Sequence, residues 1–531
     1  MSFSSISRRG FLASLSTIVV ACSATLWTAC SNSSDLVSAD AGLDAPLYEA
    51  APPTQDAGPA AACDLGDGGV APQGKQLVAS PSVRILGVTT DGYAVYQDRA
   101  LGKVYTIPLA GGVPEQVGPS WDGSSTVISI YGSVVLYWTG VDFNRSPLIG
   151  QLVVWTASGH SRILAPSSIA GGAAVSADGK LIAYSDATVS TFPAVDGGTV
   201  VGTALTDFVV SAPDGSGKIT MASQVQWSSG CQTKVAFAGS RVVIAACASV
   251  NPPAPAATLR AYAGPSFGAP VTLNNQPAYT GFGYDANHVI YFISSTFVLT
   301  TQAFGSSPIP LMGDVCNSIL SNDGSFIVIR NCNGTIYRAS TTSGLIQVIS
   351  PGYIDLKRIS PDDKWLLASK TYDATLGLTD LQLLSTAPNS TATPLVTTPT
   401  AALLKDSFTK DNSRVFVGAN NQRAPVGYFG DVAVVPLSAP ATTPLTISKT
   451  AWDGYATKGS TIIYDDGYDL VFPDLPLADI QVIDLANAQT RTKLVSKADA
   501  DFFLDDARTK AVYTWTYCAD GRAGLYVVDL P

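Results

Sequence analysis

One short pattern recurs along this chain and limits what it can fold into. Arg358-Ile-Ser-Pro-Asp-Asp-Lys-Trp-Leu-Leu-Ala-Ser369 reads as strand, tight turn, strand. Pro361 presets φ in the turn, and Asp362 and Asp363 supply carboxylates that bond nearby backbone N–H groups. The stretch is therefore an antiparallel hairpin. The same spelling returns at Ser176-Ala-Asp-Gly179 and Ser321-Asn-Asp-Gly324, and more loosely at Thr89-Thr-Asp-Gly92 and Thr409-Lys-Asp-Asn412. A hairpin repeated along 531 residues calls for stacked β-units, most simply a propeller of four-stranded blades.

Second strands of the repeat are expected near Tyr93, Val134, Leu181, Val242, Val289, Phe326, Trp365, Val415, Thr461 and Ala511. Their spacings of 37 to 61 residues suit four strands per unit. The longest gap, Leu181 to Val242, holds Asp214-Gly-Ser-Gly217 and implies an insertion or long loops. Ten signals exceed the usual four to eight blades. The fold class is all-β, a single propeller of seven to ten blades. The repeats near Val242 and Val289 are the weakest and could be decorations; two rings would need a linker that the repeats lack. The last repeat stops after its third strand, at Leu530. Lys75-Gln-Leu-Val-Ala79 resembles Lys493-Leu-Val-Ser496, a fourth strand, so residues 75–79 are expected to complete the last blade and remove both exposed edges.

Composition agrees with a turn-rich β chain. Glu49 and Glu115 are the only glutamates, so nearly every acid is Asp, which favours turns over helices. The formal charge of −10 offers phosphate no basic face and gives no pull toward anionic lipid. This argues against nucleic acid as a partner.

Residues 1–30 read as a targeting segment. Ser7-Arg-Arg-Gly-Phe-Leu12 resembles a bacterial twin-arginine signal. The apolar run after it is broken by Ser14, Ser16, Thr17, Cys22, Ser23 and Thr25, against a permanent span. Val19-Val-Ala-Cys22 and Leu26-Trp-Thr-Ala-Cys30 both resemble a lipoprotein cleavage box. Lipidation at Cys30 leaves six cysteines, enough for three disulfides; Cys22 is the alternative and leaves an odd thiol. Residues 31–75, rich in Asp, Ala, Pro and Gly, read as a disordered tether. Residues 76–531 form the propeller. An exported, lipid-anchored envelope protein follows, on the periplasmic or surface side of the outer membrane, with the lipid as its only membrane contact.

Cys231 and Cys247 are sixteen residues apart, as are Cys316 and Cys332, at equivalent places in two repeats. Each pair fits a cross-strand disulfide, and the short Cys-x-x-Cys spacing of a metal site is missing. Cys63 and Cys518 would staple the closing blade.

Ser360-Pro-Asp-Asp-Lys364, Ser176-Ala-Asp-Gly-Lys180 and Tyr526-Val-Val-Asp-Leu530 resemble the repeat of TolB-type, WD-repeat-like propellers. Members of that group include periplasmic scaffolds and the propeller halves of peptidases, so the resemblance implies a fold and leaves activity open.

The chemistry-bearing residues are few. His160 and His288 are the only histidines, the first in a turn between strands and the second, after Asn287, at a strand start; a lone turn His is usually solvated surface. Gly264-Pro-Ser-Phe-Gly268 spells a nucleophile elbow without its strand and helix, so it reads as a loop. Asp465, Asp466 and Asp469, and Asp499, Asp501, Asp505 and Asp506, could offer oxygens to calcium, though the first group lacks the hand-type spacing. No other cofactor is expected, and no catalytic residue is assigned. Trp121 and Trp452 each precede Asp-Gly and are candidates for a ligand-facing position. The expected function is non-enzymatic: a monomeric scaffold or sensor binding a protein or glycan partner through loops on one ring face. The alternative is a lyase or hydrolase using channel Asp residues or a bound cation.

Overall fold

The computed structural model describes residues 65, 69–118, 127–191, 200–228, 233–247, 257–273, 278–293, 298–404, 406–423, 428–451, 453–457, 460–469, 477–487, 489–499, 501–518 and 521–531. Every regular element among them is a β-strand.

The repeated turn explains how the strands are joined. In each copy a hydroxyl stands first, an Asp third and a left-handed residue fourth. Ser360 Oγ donates to Asp362 Oδ1 (2.6 Å) and accepts from Trp365 N (3.0 Å), while Asp363 N donates to Ser360 O (2.9 Å). Ser176, Ser321 and Thr89 repeat this with Asp178, Asp323 and Asp91 at 2.6 to 2.9 Å. The fourth position has φ of 60° at Asp363, 68° at Gly179, 71° at Gly324 and 55° at Asn412. Only Gly, Asn and Asp take that conformation cheaply. At Asp505 a carboxylate replaces the hydroxyl, accepting Lys510 N at 2.7 Å, and Arg508 takes the left-handed position with φ 56°. One turn chemistry thus closes hairpins whose sequences differ otherwise.

The strands form ten antiparallel units, numbered here as blades. Blade 1 spans 83–116, blade 2 127–169, blade 3 173–228, blade 4 234–272, blade 5 278–312, blade 6 315–350, blade 7 355–401, blade 8 408–451 and blade 9 454–499. Blade 10 spans 502–529 and takes Lys75–Ala79 as its outermost strand. Blades 3, 4 and 5 run together as one twelve-stranded sheet, joined only by the single residue pairs Gln226 with Cys247 and Ala257 with Ala278. The weak repeats near Val242 and Val289 are therefore full blades. All ten expected second strands are present, beginning at Tyr93, Val134, Ile182, Arg241, His288, Phe326, Trp365, Arg414, Thr461 and Lys510.

Packing follows from the two-residue period of a strand. In Val134–Thr139, Val134, Leu136 and Trp138 pack toward blade 3, whereas Val135 and Tyr137 pack toward blade 1. Each second strand does the same between its neighbours, so both faces are apolar and buried. Ten such clusters join consecutive blades. The last joins blade 10 to blade 1 through Val512, Leu525 and Val527 against Val83, Ile85, Ala94 and Tyr96. The seams therefore return to their start, and Thr514 Oγ1 accepts Ile85 N across that junction at 3.0 Å.

Lys75–Ala79 pairs antiparallel with Gly524–Asp529, Lys75 opposite Val527 and Ala79 opposite Gly524. Residues 70–73, just before this strand, bond to blade 9. Val70 N donates to Ser496 Oγ (3.1 Å), Ser496 N to Val70 O (2.9 Å), and Gln73 N to Leu494 O (3.2 Å). Leu65 packs among Phe502, Trp515 and Cys518. Gly74 reverses the chain with φ 90°, where a Cβ would strike the Val527 carbonyl. The tether's last residues are thus part of the blade 9–10 seam. The long gap before Val242 is spanned by strands of ten, nine and ten residues, Ile182–Thr191, Thr203–Ser211 and Ile219–Ser228, with Asp214–Gly217 at the turn.

Cys316 and Cys332 form a disulfide with Cα atoms 5.0 Å apart. Cys247 and Cys518 are also disulfide-bonded. Cys231 and Cys63, their expected partners, lie outside the described residues, as do Cys22, Cys30 and the rest of the targeting segment.

A chain starting at Ala61, which keeps Cys63, Leu65 and residues 70–79, is expected to melt cooperatively. One starting at Ser80 is expected to aggregate, because the edge of Gly524–Asp529 is then bare; size-exclusion chromatography and calorimetry check both. Cys316→Ser with Cys332→Ser is expected to cost about 3 kcal/mol in denaturant unfolding, the entropy of a short loop.

Candidate functional site

Neighbouring inner strands approach one another, as first strands do around a propeller axis. Their charges gather on one arc. Blades 2, 3, 5 and 6 place Val127–Tyr131, Ala173–Val175, Ala278–Tyr284 and Val315–Leu320 there, with no ionisable acid or cation among them. Blade 4 contributes Lys234, whose pKa burial lowers to about 8. Blades 7 to 10 and blade 1 contribute Asp355, Lys357, Arg358, Asp406, Asp453, Asp501 and Arg84.

These groups are held by one another. Lys357 Nζ lies 2.8 Å from Asp355 Oδ2, and Asn317 of blade 6 donates to Asp355 Oδ1 at 2.7 Å. Arg358 is largely desolvated, which lowers its pKa, while Asp406 and Asp453 oppose the shift. Arg508 reaches from the blade 10 turn to both carboxylate oxygens of Asp406 and to the carbonyl of Ala456 (2.6 Å). Ala456 N donates to the same Asp406 carboxylate at 3.0 Å. One guanidinium therefore links blades 8, 9 and 10.

At the junction of blades 9, 10 and 1, Asp499 is buried and accepts Thr516 Oγ1 at 3.0 Å. Burial pushes its pKa up to about 6, against the pull of Thr516, Arg99 and Arg84. Arg84 and Asp501 pair at 3.2 Å, but both are about half exposed, so this bridge contributes little.

Between blades 7 and 8 lies a cleft of about 330 Å³ lined by Lys357, Leu378, Leu381, Ala401, Leu403 and Tyr428. Tyr428 OH donates to Leu376 O at 2.7 Å and fixes the outer wall. Tyr372, Thr379 and Ala401 stand in register across three strands, so Tyr372 shares the cleft's face. Tyr372 and Leu403 are exposed. Apolar walls, an ammonium and an exposed ring suit a binding cleft.

The expected calcium groups are spent elsewhere. Asp465 is buried and accepts Asp453 N at 2.6 Å. Its neighbour Asp466 points to the opposite face and accepts from Ser448, Thr450, Gly467 and Gln481. The side chain of Asp469 lies outside the described residues. Asp505 closes its turn through Thr509 and Lys510. Asp499 and Asp501 belong to the arginine-bearing junction. Among the described residues no three His, Cys, Asp or Glu side chains converge as cation ligands.

His160 is exposed and 3.0 Å from both oxygens of Glu115 across the blade 1–2 seam. His288 opens the strand His288–Ile293, as expected, and is buried, with Nδ1 3.1 Å from Asp285 Oδ2. The 264–268 run is a loop with Phe267 in the blade 3–4 core. Trp121 and Trp452 lie outside the described residues. The inner arc escaped sequence reasoning because Asp406 and Arg508 are 102 positions apart; a cation at a turn's left-handed position, usually Gly, was the available signal.

No family model matches the chain, and no curated protein matches it. Similar solved structures include a eukaryotic initiation factor (11% identity, 71% of this chain, 90% of that chain, TM-score 0.45). Others are the C-terminal WD40 domain of Sif2 (14%, 68%, 95%, 0.32) and dipeptidyl peptidase 4 of Porphyromonas gingivalis (9%, 83%, 65%, 0.40). At such identities the likeness is one of fold alone.

Asp499 has a raised pKa, so its contribution to stability is complete below the unfolded value near 4 and is lost as pH rises through about 6. Asp499→Asn, which keeps the acceptor for Thr516, is expected to raise stability at pH 7.5 by roughly 1–3 kcal/mol and to flatten the pH 4–7 melting profile. Arg508→Ala is expected to cost about 3 kcal/mol by leaving the mostly buried Asp406 carboxylate without its guanidinium and with the Ala456 N–H still bonded to it, read in denaturant unfolding.

Proposed function

We propose that this chain is an exported, lipid-anchored β-propeller with TolB-type repeats that acts as a monomeric binding scaffold. Its partner is a protein or a glycan of the cell envelope, engaged through loops on one ring face. The observation that carries this reading is the length of the arms on that face. Second strands of blades 3, 8 and 9 run ten, ten and nine residues. Those of the other blades run five to seven. The blade 3 arm carries Val189 paired with Leu205, both exposed, at 67% and 41%. Exposed apolar side chains on a projecting arm are features of an interaction surface.

Anchoring draws on Arg8-Arg9, the cysteine boxes and the Asp/Ala-rich tether, with Cys30 favoured over Cys22. The formal charge of −10 speaks against nucleic acid. No cofactor is assigned. The enzyme alternative draws on Asp499, since strongly shifted carboxyls gather at functional sites; calcium or another bound cation enters only there. Elemental analysis of purified protein separates the two, because a stoichiometric metal favours the enzyme.

In a bacterial host that processes its signal, the full chain is expected in the membrane fraction and to incorporate labelled palmitate. Cys30→Ser is expected to abolish both, while Cys22→Ser leaves both intact; the reverse assigns Cys22. Val189→Asp with Leu205→Asp is expected to leave the melting temperature unchanged and to lower cross-linking to envelope components about tenfold.

A further inference from the structure

On the opposite face, which carries the Ser-x-Asp turns, a second cleft of about 310 Å³ opens between blades 6 and 7. It is lined by Arg338 from blade 6 and by Lys364, Trp365, Ser385, Thr386 and Ala387 from blade 7. Arg338 lies with its guanidinium 3.8 Å from the centroid of the Phe326 ring. Stacking fixes the plane of the fork at little entropic cost. The guanidinium makes no hydrogen bond or ion pair with any described residue, although Asp323 stands near enough to feel its charge. Asp323 is itself engaged by Ser321 and Ser325. An arginine stacked, half-buried and left with all its donors is an unfilled oxyanion receptor.

The surroundings narrow the ligand. Lys364 Nζ is mostly exposed and 3.3 Å from Asp362, a weak pairing that a ligand can share. Gln347 stands opposite Arg338 in register and is exposed, so its amide shares the guanidinium's face. Ser385 and Thr386 add hydroxyl oxygens, the second already donating to Asp363 O at 2.7 Å and so left as an acceptor. One preset fork ringed by amide and hydroxyl groups suits a ligand that carries a single carboxylate among many hydroxyls.

We infer that the blade 6–7 cleft binds the carboxylate-bearing sugar units of an acidic polysaccharide, with Arg338 as the carboxylate fork and Lys364 as the second cation. This site is separate from the long-armed face and does not depend on its partner. Binding of glucuronate oligosaccharides to the full chain tests it by calorimetry, with neutral glucose oligomers and sodium acetate as comparison probes. The expected result is saturable glucuronate binding that weakens about tenfold or more in Arg338→Ala and falls by less in Lys364→Ala. Lys364 is exposed, so its variant folds regardless, and unchanged melting of both variants separates lost binding from lost structure. Equal binding by Arg338→Ala, or equal binding of the neutral oligomer, overturns the assignment. Acetate competing as well as the sugar at equal concentration also overturns it, reducing the site to a bare oxyanion pocket.

Discussion

The structure depends on strands that are apolar on both faces. A β-strand shows alternate side chains to opposite sides, and in most sheets one side meets water. Here the second strand of every blade is sandwiched between two neighbours. Val134 to Trp138 is the plain case: five consecutive buried apolar residues, divided between the blade 3 and blade 1 seams. No blade can bury both faces alone. Each is stable only as a member of the series, and the series has to return on itself.

That requirement makes the two ends of the folded region the most demanding place. Several devices converge there. Lys75–Ala79 supplies the outermost strand of blade 10, Val70 and Gln73 bond along Thr490–Asp499, and Leu525 and Val527 pack on Val83 and Ile85. Cys518 is disulfide-bonded beside them. The buried, raised-pKa Asp499 sits in the same region, desolvated and with two arginines close by. Charge is costly in such surroundings unless paired, and the inner arc answers with Arg508 on Asp406 and Lys357 on Asp355.

Much of the fold was legible in the sequence because its determinants are local. A hydroxyl, an Asp two positions later and a residue tolerant of positive φ close a hairpin by bonds within six residues. Ser360 to Trp365 displays all of them in one line of sequence. The repeats at Val242 and Val289 are weak in the sequence for a local reason too: their preceding turns, at Gly239 and Asp285-Ala-Asn287, lack the hydroxyl–Asp spelling. Val70 to Gly74 has little apolar content to signal a place in the fold. Its order comes from backbone bonds to a strand more than four hundred residues away. Of the site, the Asp clusters were visible as composition, but their roles were not. Adjacent acids such as Asp465 and Asp466 point to opposite faces of one strand and cannot act together.

The sequence alone determined the strand-and-turn alphabet, the count of ten hairpin signals and the pairing of Cys316 with Cys332, since each rests on residues close along the chain or on spacing equal between repeats. Only the tertiary structure decided which charges meet around the axis, which clefts open between blades, and that Arg338 lies stacked with its donors unspent. Those facts depend on side chains from different repeats, brought together by ring packing that no local spacing encodes.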